Sequence, residues 1–125
     1  MNLANILIVE DEERLQQVLA RTLEQSGYTV HTAVTAEQAI QTVRDQRPDL
    51  LVLDINLPDS TGWDLLRRLE AQGITCANLH TIIISATHPD HRRLARFRPV
   101  VFLAKPFAIS TLRRLIEGAL VDIPC

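Results

Sequence analysis

Leu50-Leu51-Val52-Leu53-Asp54-Ile55-Asn56-Leu57-Pro58 decides the fold. Four apolar residues run directly into an acid. A short continuous apolar run reads as a strand buried on both faces, the pattern of a parallel sheet. Asp54 then stands at the carboxyl end of that strand, the edge where open α/β sheets bind ligands. Pro58 and the cluster Asp59-Ser60-Thr61-Gly62 follow at once and mark a loop. Asp54 is therefore the first candidate for a working residue.

Outward from this strand the same unit recurs. Upstream, Ile6-Leu7-Ile8-Val9 reads as a first buried strand that ends in Glu10-Asp11-Glu12-Glu13. Leu15, Val18, Leu19, Thr22 and Leu23 then fall at helical spacing, acids crowd the first turn, and Gly27 closes the helix. Tyr28–Ala33 reads as a less hydrophobic strand at a sheet edge. Thr35 with Gln38 forms a capping-box pattern before a helix that Pro48 stops. Downstream, Trp63, Leu65, Leu66 and Leu69 support a third helix ending near Gly73, and Thr81–Ser85 a buried fourth strand. Leu94, Ala95 and Phe97 offer a short fourth helix little apolar surface. A fifth strand, Val100–Ala104, precedes Lys105-Pro106-Phe107, and Leu112, Leu115, Ile116, Ala119 and Leu120 mark a final helix starting near Ala108 or Ser110. Strands alternating with helices across short connections imply a doubly wound parallel α/β sheet with right-handed crossovers. The expected fold is flavodoxin-like, (βα)5, with strand order 2-1-3-4-5 and a short or irregular fourth helix.

The 125 residues suffice for one domain, 1–125 with a core spanning about 5–121. The chain ends soon after the last helix, so no effector domain is expected. A net charge of -2 does not point to direct nucleic-acid binding or an acidic membrane. No apolar run approaches the ~18 residues of a span, no signal-like leader is present, and the expected location is cytoplasmic. Cys76 and Cys125 form neither a CxxC motif nor a disulfide framework and read as reduced bystanders.

In the 2-1-3-4-5 order, strands one and three are neighbours, so Glu10 and Asp11 end beside Asp54. Two unit charges 4 Å apart repel by ~4 kcal/mol at an effective dielectric of 20, a large part of the ~5–15 kcal/mol that holds a domain together. Such a cluster needs raised pKa values or a cation, and an all-oxygen site suits Mg²⁺ (or Mn²⁺). Lys105, ending strand five, brings a fixed positive charge, and Ser85, ending strand four, a hydroxyl. Together these describe a site for a phosphoryl group with Asp54 as carboxylate nucleophile.

With these motifs in hand, the sequence resembles the receiver domain of bacterial two-component response regulators. The resemblance rests on Ile8-Val9-Glu10-Asp11-Glu12, on Pro48–Pro58, on Ser85-Ala86 and on Lys105-Pro106-Phe107, each at a strand end, and covers essentially the whole chain. It implies that Asp54 is the phosphoacceptor; that Glu10, Asp11, Asp54 and the backbone carbonyl of Asn56 hold the divalent cation; and that Lys105 and the Ala86 backbone bind the phosphoryl group. It further implies that Ser85 and Phe102 are the switch pair, that Asn56 and Thr87 tune dephosphorylation, and that the Lys105–Pro106 bond is cis. The phosphate would come from a histidine kinase or phosphotransfer protein. The output would be altered binding of a protein target by the face of helix four, strand five and helix five, from a monomer or a weak phosphorylation-dependent dimer. Such a protein is a signalling switch rather than an enzyme, beyond catalysing its own phosphorylation and dephosphorylation.

The departures lie between Ser85 and Lys105. Valines 100 and 101 stand where many receivers carry acids of a dimer face. They leave an apolar patch unless helix four covers them. Arg92, Arg93, Arg96 and Arg98 read as a solvated helix face, with docking of an acidic partner or nucleic acid as the other reading. His88 and His91 have metal-compatible spacing but no further ligand. Singly, Glu10-Asp11 also reads as a helix cap, Asp54 as a turn residue and Lys105 as a surface charge. Rival functions are a degenerate receiver acting without phosphorylation and an aspartyl-phosphate phosphatase of the haloacid-dehalogenase type. The second wants an acid two residues after its nucleophile, where this chain has Asn56.

Overall fold

The computed structural model describes residues 4–121, except 76, 89 and 100. Both cysteines, Val100 and the chain end, 122–125, lie outside the described residues. Five strands alternate with five helices: β1 (Asn5–Val9), α1 (Glu13–Gln25), β2 (Thr29–Ala33), α2 (Ala36–Gln46), β3 (Leu50–Asp54), α3 (Gly62–Ala71), β4 (His80–Ser85), α4 (His91–Phe97), β5 (Val101–Ala104) and α5 (Ile109–Val121). All strand pairs are parallel, in the order β2-β1-β3-β4-β5.

The strand sequences explain the two layers of core. Alternate residues of a strand face opposite sides. Leu7, Val9, Leu51, Leu53 and Ile83 pack with the apolar stripes of α2 and α3 and with Phe97 of α4. Ile6, Ile8, Leu50, Val52, Ile82 and Ile84 pack with Leu19 and Leu23 of α1 and Leu112, Ile116 and Ala119 of α5. All five residues of β3 are buried, as a strand covered on both faces requires. β2 and β5 are the edges and are only partly buried. Val101 is half-buried against the α1/α5 layer, so its methyls are not a free patch.

Helix ends follow local chemistry with one surprise. The Thr35 hydroxyl accepts the Gln38 N–H, and Gln38 Oε1 accepts the N–H of Val34, a reciprocal cap shifted one residue outward. Gly27 and Gly73 take positive φ after α1 and α3. After α2 and α4 the same left-handed position is filled by Arg47 (φ 46°) and Arg98 (φ 50°). The apolar stripe of α1 is narrower than its spacing predicts. Leu15, Leu19 and Leu23 face inward, whereas Val18 is 48% exposed.

The fourth helix is short, seven residues, and Phe97 is its one buried side chain. Phe97 stacks on Trp63 of α3 with ring centroids 6.0 Å apart, and Arg93 lies over the Trp63 ring and Arg96 over the Phe97 ring. Arg96 closes the contact with an ion pair to Glu70 of α3 at 2.8 Å. A helix with little apolar surface is thereby held to the domain by Phe97, with Leu94 packing partly against the same layer.

Candidate functional site

Register builds the site. Val9 pairs with Leu53, so the next residues along, Glu10 and Asp54, leave β1 and β3 side by side. Ser85 pairs with Ala104, and the N–H of Lys105 donates to the Ser85 carbonyl at 2.8 Å. Glu10, Asp54, Ser85 and Lys105 therefore meet at one edge although they span most of the chain.

Glu10 and Asp54 are almost wholly buried, and Asp11 is exposed. One carboxylate oxygen from each of the three lies within 4.8 Å of the others. Lys105 Nζ donates to Glu10 Oε1 at 2.7 Å and to Asp54 Oδ2 at 2.9 Å, placing one cation between the two buried acids. The second oxygen of each acid takes a backbone N–H: Asn56 donates to Asp54 Oδ1 at 2.9 Å, and Glu12 to Glu10 Oε2 at 3.1 Å. Glu10 thus also supports the entry to α1, whose N-cap, Glu12, has no side-chain cap.

Burial raises the Glu10 carboxyl to about 7, against the lowering hydrogen bond from Lys105 and with Asp54 adding to the rise. Burial pulls the Lys105 ammonium the other way, but its bonds to Glu10 and Asp54 outweigh that, and its pKa is raised. One lysine leaves the buried acids under-compensated. All-oxygen donors, a desolvated acid and an exposed Asp11 at the mouth fit a hard divalent cation.

The remaining expected residues fall around this centre. The Ser85 hydroxyl is fully buried, shares a 2.8 Å hydrogen bond with the Thr87 hydroxyl and accepts the Thr87 N–H at 3.1 Å. Phe102 is half-buried on β5 and packs toward the α2/α3/α4 layer. Asn56 is exposed and bridges back to Thr61. The Lys105–Pro106 bond is cis. Ala86 lies on the rim of a cavity of about 350 Å³ beside Lys105, walled by Glu12, Leu15, Pro106 and Phe107. His88 and His91 are exposed and belong to no metal-type cluster among the described residues.

Three positioning residues escaped the sequence reading. A Cβ on Gly62 would lie 2.9 Å from Ile55 Cα and 3.0 Å from the Asp54 carbonyl oxygen. Only glycine lets α3 start so close to the acid-bearing strand end, where the Gly62 N–H donates to Ile55 O at 2.7 Å. Asp59, on the same loop, accepts the N–H groups of Ala36 and Glu37 at the start of α2. The Ala36 N–H holds the Asp59 carboxyl below the usual range. Gln16 donates from α1 to the carbonyls of Glu10 and Ala33 and fixes the exit of β1. The Asp-Ser-Thr-Gly run signals a turn, but the close approach behind it is a tertiary fact.

A doubly wound sheet with three carboxylates and a lysine at its switch point defines the class, an open α/β domain with a candidate ligand site at the carboxyl ends of its strands. Residues 6–117 match the family model described as the response regulator receiver domain. The KDP operon transcriptional regulatory protein KdpE of Escherichia coli is 31% identical over 120 residues, 94% of this chain and 52% of that protein. The phosphate regulon transcriptional regulatory protein PhoB of Pseudomonas aeruginosa is 31% identical over 92% of this chain and 51% of its own length. The chain spans about half the length of these curated relatives. A CheY-like receiver domain protein from Methanospirillum hungatei shares the fold at a TM-score of 0.87 and 23% identity, over 98% of this chain and 97% of that one. The receiver domain of a modulated diguanylate cyclase from Desulfovibrio desulfuricans matches at 0.81 and 34%, with the same two coverages. The chain belongs to the response regulator receiver domain family. Its fold and family are those of a phosphorylation-dependent signalling switch of two-component systems.

Proposed function

We propose that Asp54 accepts a phosphoryl group from a histidine kinase or phosphotransfer protein, and that this switches the binding of a downstream protein. The observation that carries the reading is Lys105 Nζ, 2.7 Å from Glu10 and 2.9 Å from Asp54 at a nearly buried strand end. A cation already stands against the reacting carboxylate, where incoming negative charge needs it.

In the transfer, a carboxylate oxygen of Asp54 forms a bond to phosphorus while the P–N bond of a phosphohistidine donor breaks. The electron pair of that bond returns to the imidazole nitrogen. Mg²⁺ or Mn²⁺ held by Glu10, Asp11, Asp54 and the Asn56 carbonyl supplies charge neutralisation when bound. Lys105 keeps contact with the transferred group, and the Ala86 N–H donates to one of its oxygens. The Asn56 N–H holds the acceptor carboxylate in place.

Ser85 and Thr87 set the switch. In the unphosphorylated domain the Ser85 hydroxyl is engaged with Thr87. A phosphoryl oxygen on Asp54 offers a stronger, charged acceptor, so the hydroxyl turns toward it. Phe102 moves into the space this opens, and the surface of α4, β5 and α5 changes shape. The two states must lie within a few kcal/mol of each other for one phosphoryl group to shift their balance. Asn56 and Thr87 flank the acceptor and govern how water reaches it, and so the lifetime of the adduct.

The test is intact-mass measurement after incubation with acetyl phosphate and Mg²⁺. Wild type is expected to gain one phosphoryl group that hydroxylamine removes, and Asp54→Ala none. Absence of any adduct, from this donor or a cognate kinase, marks a phosphorylation-independent module. Steady turnover of phosphate esters marks a phosphatase.

A further inference from the structure

At the amino edge of the sheet, opposite Asp54, two adjoining cavities of about 270 and 510 Å³ share Ile74 and Leu79 as walls. The floor of the first is apolar: Leu66, Leu69, Ile74, Leu79 and Phe97. The ends of α2, α3 and α4 form the rim. It carries Arg44, Arg47, Arg96 and Arg98 against a single acid, Glu70, which is already paired with Arg96. The rim is thus strongly positive on a chain whose net charge is -2. Arg44, Arg47 and Arg98 are exposed and have no acid partner among the described residues.

The backbone gives a second, independent sign. α1 and α3 end on left-handed glycines, the residue that adopts this conformation without steric penalty. α2 and α4 end on left-handed arginines, Arg47 and Arg98, and both line the groove. Strained non-glycine residues held at a surface cleft point toward function. The carbonyl ends of α2 and α4 favour cations at these positions.

We propose that this groove docks an acidic peptide segment of a partner protein. One large apolar side chain of the segment would enter the cavity against Ile74 and Leu79, and its carboxylates would pair with Arg47 and Arg98. The segment is acidic because the rim is cationic. It carries an apolar anchor because the floor is apolar and a nucleic-acid backbone would leave that floor unfilled. The site lies at the far end of a five-residue strand from Asp54, about 13 Å away at ~3.3 Å per residue, so it is separate from phosphoryl chemistry.

The test uses a fluorescein-labelled Glu-Glu-Leu-Phe-Glu-Glu peptide and the ¹⁵N-labelled domain. Saturable binding with amide shift changes centred on Ile74, Leu79 and Arg98 is expected. Affinity should fall by about tenfold in the double variant Arg47→Glu, Arg98→Glu and persist when both are replaced by Lys. Asp54→Ala should bind as wild type. A Glu-Glu-Ser-Ser-Glu-Glu peptide should bind several-fold more weakly. The proposal is overturned if the shifts map instead to Arg14 of α1 and Arg113 and Arg114 of α5, if the Ser peptide binds equally well, if the charge reversal leaves affinity unchanged, or if oligothymidylate binds the same residues more tightly than the peptide.

Discussion

At the carboxyl edge of the sheet Glu10 and Asp54 are buried side by side and share Lys105; at the amino edge Arg44, Arg47 and Arg98 stand in water without an acid partner among the described residues. The first arrangement concentrates like charge where solvent cannot relieve it. Every proton, cation or phosphoryl group that arrives there acts on a poorly screened field. The second spreads its charge around an apolar floor, where water and salt screen it. Disturbing the first edge should change chemistry and pH response; disturbing the second should change packing and partner affinity while the chemistry continues.

The largest expected effect is at Lys105. Lys105→Met removes the one cation between two buried acids, and phosphorylation by acetyl phosphate should slow by on the order of 10²-fold, read by time-resolved intact mass. A rate within twofold of wild type would break the electrostatic account of that edge. Next is Phe97→Ala, which takes away the anchor of α4 and should lower the free energy of urea unfolding by about 3 kcal/mol. If the two edges are independent, this variant still accepts the phosphoryl group, and Trp63, the chain's single tryptophan, shifts its emission as the stacked ring is lost. Gly62→Ala drives a methyl into the backbone of Ile55 and Asp54 and should cost about 2 kcal/mol. Unlike Phe97→Ala, it should also impair phosphorylation, because the acid-bearing strand end moves.

The smallest effect sharpens the sign of the electrostatics. Between about 4.5 and 7 the folded state keeps a proton on Glu10 that the unfolded chain has released. Folding stability from this group is therefore greatest at the acidic end of that window and falls as pH rises through it. Glu10→Gln should remove this slope and stabilise the metal-free domain by about 1–2 kcal/mol at pH 7.5, with little change at pH 4.5. Added Mg²⁺ should stabilise wild type more than the variant in thermal melts. A wild-type curve that rises across the window relative to Glu10→Gln would reverse the assignment.

What could be read from the sequence followed from how each feature is encoded. The apolar run Leu50–Leu53 marks a buried strand because burial on both faces leaves no room for polar alternation. The acid after it marks the functional edge because the strand order of a doubly wound sheet is so restricted. Topology then predicts that Glu10, Ser85 and Lys105 converge on Asp54. It does not predict that one lysine bridges two of the acids or that Ser85 is tied to Thr87, because those depend on rotamers and register. The short α4 is visible as a shortage of apolar residues; its docking through Phe97 on Trp63 is not. Val18 misleads because helical spacing names a stripe without giving its width. The groove is the least legible feature. Three helix ends distant in the chain compose it, and arginine occupies the positions where a glycine would have signalled the turn.

The claim on which the rest depends is that Asp54, among the three clustered acids, is the acceptor. Incubating the domain with acetyl phosphate and Mg²⁺, reducing the product with borohydride and mapping its peptides by mass spectrometry tests this directly, because reduction of an aspartyl phosphate leaves homoserine in place of the modified residue. Homoserine is expected at position 54 alone. Homoserine at position 11, or a reduced glutamate at position 10, would contradict it.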